Sequence, residues 1–195
     1  MSFNISDFGQ NIVKYGVQRP NEFEVTITLP NALQNAASEY PFISQFQTIM
    51  PFRASSCSPP GFIFQTNETH KLGIGPRIKQ PYNVVFPELK IEFIADAQSV
   101  IEQAINLWGN LAFNFTFTGT NFATYYSGYR NDIISPDIMI RKFNRGGGKI
   151  SDYHVYDALP LVFTGQQFSW DETNSLIKFT LALHYISYSI TTYSQ

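Results

Sequence analysis

Two alternating segments near opposite ends of the chain constrain its fold more than anything between them. In RPNEFEVTIT, Arg19–Thr28, the apolar Phe23, Val25 and Ile27, continued by Leu29, alternate with Glu24, Thr26 and Thr28. In LIKFTLALHYIS the same period runs through Ile177, Phe179, Leu181, Leu183 and Tyr185. A period of two sends successive side chains to opposite faces of a strand, so each segment has one dry and one wet face. A sheet that opens and closes with such strands must bury their dry faces in a shared core.

Between them the chain reads as further strands around one helix. Residues 1–20 form a polar arm ending in Arg19-Pro20, where proline's missing donor suits the mouth of a strand. The first strand is expected over about Glu22–Leu29. Pro30–Met50 has Asn and Ala at helical density but Pro41 inside it, so it reads as a loop insertion holding about one turn of helix. A short strand over Phe52–Cys57 stops at Ser58-Pro59-Pro60-Gly61, because neither proline can donate to a ladder. Phe62–Pro81 reads as a long hairpin or extended loop. Pro87 then opens a clean strand with Leu89, Ile91 and Phe93 on one face and Lys90 and Glu92 on the other.

Asp96 is a suitable N-cap for a helix from Ala97 to about Leu111. Its Ile101, Ala104, Ile105, Trp108 and Leu111 form one apolar stripe, as in a helix lying on a sheet. Trp108 is expected as the anchor of that contact. Phe113, Phe115 and Phe117 alternate as a short strand, followed by a Tyr-rich loop over Phe122–Tyr129. Strands are expected again at Asp137–Phe143, Val155–Thr164 and about Ser175–Tyr188, separated by the Gly146-Gly147-Gly148 run and a turn at Ser169–Asn174. The sum is a mainly β (α+β) chain of about seven strands and one flanking helix, with no internal repeat.

At 195 residues this is one domain, or one domain with insertions at about 30–50 and 113–136. No apolar run approaches the roughly 18 residues that span a bilayer, and no signal peptide is legible. The single Cys57 fits a reducing cytoplasm. Charged residues make up 14% of the chain, against about 25% in an average soluble domain, while aromatics reach 16%. Either neutral polar residues cover much of the surface, or copies of the chain cover it; the second reading is preferred. Thirteen basic against fifteen acidic residues argue against a phosphate-gripping protein.

Catalytic and metal signatures do not assemble. A Walker loop would need glycine where Phe143 stands and Ser or Thr where Ile150 stands, so Arg145–Lys149 reads as a turn. His70, His154 and His184 are scattered singly, which gives no metal site. Cys57, His154, Asp152 and Asp157 make a nucleophilic site only on paper, and Glu88 with Glu92 reads as a solvated edge. No enzyme and no cofactor is expected. The Tyr125, Tyr126 and Tyr129 group is a candidate glycan-stacking platform, though aromatic loops form interfaces at least as often.

The order of these elements resembles the tail tube proteins of contractile-tailed, T-even-type bacteriophages, which are related to type VI secretion tubes. The residues carrying the likeness are RPNEFEV, then SSCSPPG leading into KLGIGPRIKQP, PELKIEFIAD, the helix AQSVIEQAINLWGNL, and LPLVFTGQQFSWDETNSLIKFTLALHY. They cover about three quarters of the chain. The resemblance implies a β-sandwich or split barrel with one helix. It implies six subunits to a ring, with rings stacked into a hollow tube inside a sheath. Partners would be further copies of the chain, tail sheath protein, and baseplate and terminator proteins. DNA would pass through the lumen without specific binding. The location would be the virion tail, assembled in the host cytoplasm. A baseplate initiator or a terminator ring is the alternative role. The hairpin at about Thr66–Tyr82, with Leu72, Ile74, Arg77 and Ile78, would reach a neighbouring subunit.

Overall fold

The computed structural model describes residues 22–70, 77–112, 130–165 and 176–193. The 1–20 arm, Leu72 and Ile74, the expected Phe113–Thr118 strand, the Phe122–Tyr129 loop and the Ser169–Asn174 turn lie outside the described residues. The described strands are β1 (Phe23–Ile27), β2 (Ala54–Cys57), β3 (Ile63–His70), β4 (Arg77–Val85), β5 (Leu89–Ile94), β6 (Ser135–Phe143), β7 (Lys149–Thr164), β8 (Lys178–His184) and β9 (Ser187–Thr192). Helices are α1 (Asn31–Ala36), α2 (Phe42–Ile49), α3 (Val100–Ala112) and α4 (Arg130–Ile133), with a 3-10 turn at Met50–Phe52.

The long strand β7 organises the sheet. Its first half lies between β6 and β9, and its second half pairs with β8. The seven-stranded antiparallel sheet therefore has the order β1-β6-β7-β8-β5-β2, with β9 also beside β7. Strands β8 and β9 follow one edge of β7 and keep register where one gives way to the other: Leu159 faces His184, Tyr156 faces Ser187, and Ile186 N–H donates to the Tyr156 carbonyl at 3.2 Å; the register shifts by one only farther along β8, between Pro160 and Val162 of β7. Between those pairs Asp157 takes φ +56. Asp visits the left-handed region more readily than most residues, so it accommodates the bend that carries β7 from one sheet half to the other. The expected final strand at Ser175–Tyr188 is thus two strands joined at a bend, and Val155–Thr164 is the second part of a strand that begins at Lys149.

One core fills the bent sheet. The alternation read from sequence places Val25 and Ile27 of β1, Leu89, Ile91 and Phe93 of β5, and Phe179, Leu181 and Leu183 of β8 inside it. Helix α3 adds Ile101, Ala104, Ile105 and Trp108. Asp96 caps it by accepting from Val100 N–H at 2.9 Å, but the helix begins at Val100 and not Ala97. Ser99 at φ +53 interrupts the chain before it. Trp108 is 2% exposed and its Nε1–H donates to the Ile133 carbonyl at 2.6 Å, tying α3 to α4.

The Pro30–Met50 segment, expected to be mostly loop, folds into α1 and α2. Both prolines occupy the position just before a helix, where no N–H is needed, so Pro41 starts α2 instead of breaking a longer helix. Leu33, Ile43, Phe46 and Met50 join the core, and α2 packs on α3.

The outer face of the first sheet half carries a buried ion pair. Arg141 on β6 holds Asp152 on β7 with two 3.0 Å bonds, and the Tyr193 hydroxyl donates to the same carboxylate at 2.9 Å. Asp152 is 2% exposed. The Arg141 bond, helped by Tyr193 and opposed by burial, holds its carboxyl below the usual range. Glu24 on β1 approaches Arg141 at 3.8 Å, so three neighbouring strands share the network.

Two outcomes test this packing. Trp108→Ala removes a buried ring and orphans a carbonyl, at a cost of about 3–5 kcal/mol; an unchanged urea midpoint would show that α3 is not docked through this ring. Asp152 has a lowered folded pKa. Its contribution is full above the ordinary Asp value of about 3.9 and is lost as pH falls through the folded value. Wild-type protein should therefore lose more stability between pH 6 and pH ~3 than Asp152→Asn does, and equal losses in urea melts would remove the ion pair from the account.

Candidate assembly surface

Strands β3 and β4 form a sheet of their own, paired from Ile63 opposite Val85 to His70 opposite Arg77, with an irregularity after Gln65. Every described side chain on both strands is exposed, on both faces of the ribbon. Pro81 is tolerated inside β4 because a two-stranded ribbon has only edge strands. Such a ribbon is marginally stable alone in water and gains little from its own contacts.

The ribbon is anchored at its root. The Tyr185 hydroxyl, beside the bend between β8 and β9, donates to the Gly61 carbonyl at 3.3 Å. Phe86, just after β4, packs its ring 5.7 Å from Tyr185 and 5.8 Å from Tyr188. The bend that closes the core therefore also sets where the ribbon leaves the body.

Chemistry changes along the ribbon. Near the root Phe62 and Phe64 meet edge to face at 5.0 Å and remain 56% and 52% exposed. Farther out Glu68 pairs with Arg77 at 2.9 Å and approaches Lys79 at 3.7 Å. These exposed pairs contribute little stability. Of the residues the sequence assigned to an intersubunit hairpin, Arg77 engages Glu68 and Ile78 is exposed. Phe62 and Phe64 were not singled out in the sequence, although apolar residues directly after Pro-Pro-Gly were the available signal.

Of the residues considered for catalysis, Asp152, His154 and Asp157 lie on β7, with Asp157 at the bend, and Cys57 lies on another strand. Cys57 is on β2, in the second sheet half, and burial pushes its thiol up to about 12, which leaves it a poor nucleophile at neutral pH. His154 is on β7 in the first half and pairs with Asp137 at 3.0 Å. Asp152 is occupied by Arg141. Glu92 accepts from Ser55 at 2.7 Å and from Lys178 at 3.1 Å, and these bonds, Ser55 first, hold its carboxyl below the usual range. In the Gly-rich turn the Asn144 side-chain oxygen accepts from Gly146 N–H and Gly148 N–H, with Gly147 at φ +79. The amides a phosphate would need already have a partner. Among the described residues no group of three His, Cys, Asp or Glu could hold a metal ion, and no helix is long and apolar enough to cross a membrane.

Several solved structures share this fold. A search of curated proteins gives no match. A chain from the extended sheath–tube complex of an extracellular contractile injection system, PVC, is similar with TM-score 0.58 at 14% identity, covering 98% of this chain and 100% of its own. The tube-terminating cap of the anti-feeding prophage gives 0.55 at 19% identity, over 91% and 95% of the two chains. The PVC sheath/tube terminator gives 0.55 at 14%, over 88% and 94%. At these identities the likeness establishes the fold. The family model described as phage tail tube protein matches residues 18–191. With nearly the whole chain matched, this protein belongs to the phage tail tube protein family and has a structural role in a tube.

Proposed function

We propose that this chain is the main tube subunit, six copies to a ring and rings stacked into a hollow conduit that passes DNA during infection. The observation that carries the reading is the β3–β4 ribbon, exposed on both faces and rooted in the core. A ribbon that cannot stabilise itself is a connector awaiting another surface. The main sheet adds a second reason. Among the described residues, strands β1, β2 and β9 each have one unpaired edge, and a ring of identical subunits can cover such edges by lateral pairing. Sheath, baseplate and terminator proteins are the further partners this role requires.

A single terminating ring is the second reading, supported by the likeness to the anti-feeding prophage cap. Copy number in purified particles separates them, because a tube subunit ranks among the most abundant bands and a terminator does not.

Light scattering across a concentration series should show mass growing well beyond the 22.2 kDa monomer, with rings or tubes by negative-stain microscopy. The double variant Leu72→Asp, Ile74→Asp should stop polymerisation while circular dichroism stays that of the wild type; tubes at wild-type yield would remove these two residues from the proposed contact. With 13 basic against 15 acidic residues, few positive charges are available to release counterions. A duplex DNA titration at about 0.15 M salt should therefore give little binding, and tight, salt-sensitive binding would contradict a passive conduit.

A further inference from the structure

The last strand, β9, is held to the body along one side only. It pairs with the first half of β7, from Tyr156 opposite Ser187 to Ser151 opposite Thr192, and among the described residues no strand lies along its other edge. Five of its six residues are exposed, and Tyr188 alone packs against the core. Apolar contact therefore holds the strand near its start, where the Tyr188 ring meets Phe86 at 5.8 Å and Tyr185 at 6.3 Å. From Ser189 to Tyr193 every side chain is exposed.

Polar bonds hold the far end. Tyr193, the residue after β9, donates its O–H to Asp152 Oδ2 at 2.9 Å and its N–H to the Ile150 carbonyl at 3.0 Å. Asp152 is buried and takes two 3.0 Å bonds from Arg141 of β6. Glu24 of β1 approaches Arg141 at 3.8 Å, and Lys149 lies on Asp152's own strand. Midway along β9 the exposed Tyr156 and Ser189 hydroxyls bond at 2.9 Å.

We infer that β9 is a strap fastened by a latch: Tyr193 on Asp152 holds its far end, and breaking that bond lets the strand peel back to Tyr188 while the rest of the sheet stays folded. Two asymmetries favour opening on this side. Without Tyr193, Asp152 keeps both bonds from Arg141, so no buried charge is left unpaired and the cost of opening stays small. The strands on the other side of the same network cannot follow, because β1 buries Val25 and Ile27 and β6 buries Ile138 and Ile140. An edge strand with exposed backbone bonds and little apolar burial is the kind of element that opens locally, below the free energy of global unfolding. Opened, the strap bares the edge of β7 over Ser151–His154, and bare strand edges are where chains add further strands. Closed, it guards that edge. This holds for the single subunit, whether or not it assembles.

The test is hydrogen exchange, read by mass spectrometry at pH 7 on the full chain, dilute enough that light scattering gives the 22.2 kDa monomer. Tyr193→Phe removes only the latching hydroxyl. It should speed exchange over Ser189–Tyr193 by about threefold to tenfold, the lower end reflecting a latch that is partly open to water, with β1, β6 and β8 unchanged. Ser189→Ala, which removes the midway bond, should do less. A lock supplies the converse. Ser151 and Thr192 are cross-strand partners beside the hydrogen-bonded Ile150–Tyr193 pair, which puts their Cα atoms about 4.5 Å apart, within the span of a disulfide. In a Cys57→Ser background, oxidised Ser151→Cys, Thr192→Cys protein should slow β9 exchange to the rate of β8, and reduction should restore it. Unchanged β9 exchange in Tyr193→Phe overturns the latch. Exchange that rises equally in β1 and β6 shows global loosening and overturns the strap, as does a disulfide that leaves β9 exchange at the reduced rate.

Discussion

The register of β7 against β8 and β9 is the constraint on which the rest of the structure depends. A strand of 16 residues passes through two differently oriented sheet halves, and its partner edge changes strand without changing register. Because side chains alternate with a period of two, a slip of one residue would move the inward set, Val155 with Leu181, Leu183 and Tyr185, to the outer face. The bend between the halves is concentrated at Asp157 on one strand and around Tyr185 on the other. Tyr185 is buried in the core and bonded to Gly61, so the same residue that closes the sheet holds the root of the ribbon. Core packing and the placement of the assembly surface are therefore coupled through one side chain.

Sequence periodicity exposed the parts of this design with one wet and one dry face. Strands β1, β5 and β8 and helix α3 were legible because their inward positions are uniformly apolar, and Trp108 stood on the helical stripe. The first half of β7 was not, because Ser151 and Asp152 are both buried and interrupt the alternation. Asp152 can be buried only because Arg141, eleven positions earlier in sequence, lies opposite it in the register. The bend at Tyr185 was invisible for the contrary reason: Tyr188 and Ile190 continue a strand-like pattern past it. Pro30–Met50 was misread because its two helices, of 6 and 8 residues, are too short to display a helical period. Their buried apolar residues are few, Leu33, Ile43 and Phe46, and join a core they share with α3.

The assembly surface was legible in outline and hidden in detail. SSCSPPG followed by a Gly- and Pro-punctuated segment indicated a hairpin, since Pro and Gly weaken any claim to a central strand. It did not indicate that both faces of that hairpin would be bare. Phe62, Phe64 and Val84 look like core residues in a sequence, because an interface strand and a core strand bury the same kinds of side chain. Phe52, beside a proline at the mouth of a short strand, carries no pattern at all. Only the tertiary arrangement separates these residues from the core and puts them at opposite ends of one sheet half.

That separation bears on how a chain with so few charges can remain a usable subunit. Apolar surface gathered into one self-complementary patch favours closed dimers, whereas surface divided between two opposite ends cannot be satisfied by any closed pair. The charges at the ribbon tip suit the remaining task. Glu68 is already engaged by Arg77 and approached by Lys79, so these groups add little affinity, but a like charge set against them in a wrong register costs free energy and disfavours it. Under the proposed tube role, a chain with 14% charged residues is one whose neutral and aromatic surface further copies would cover.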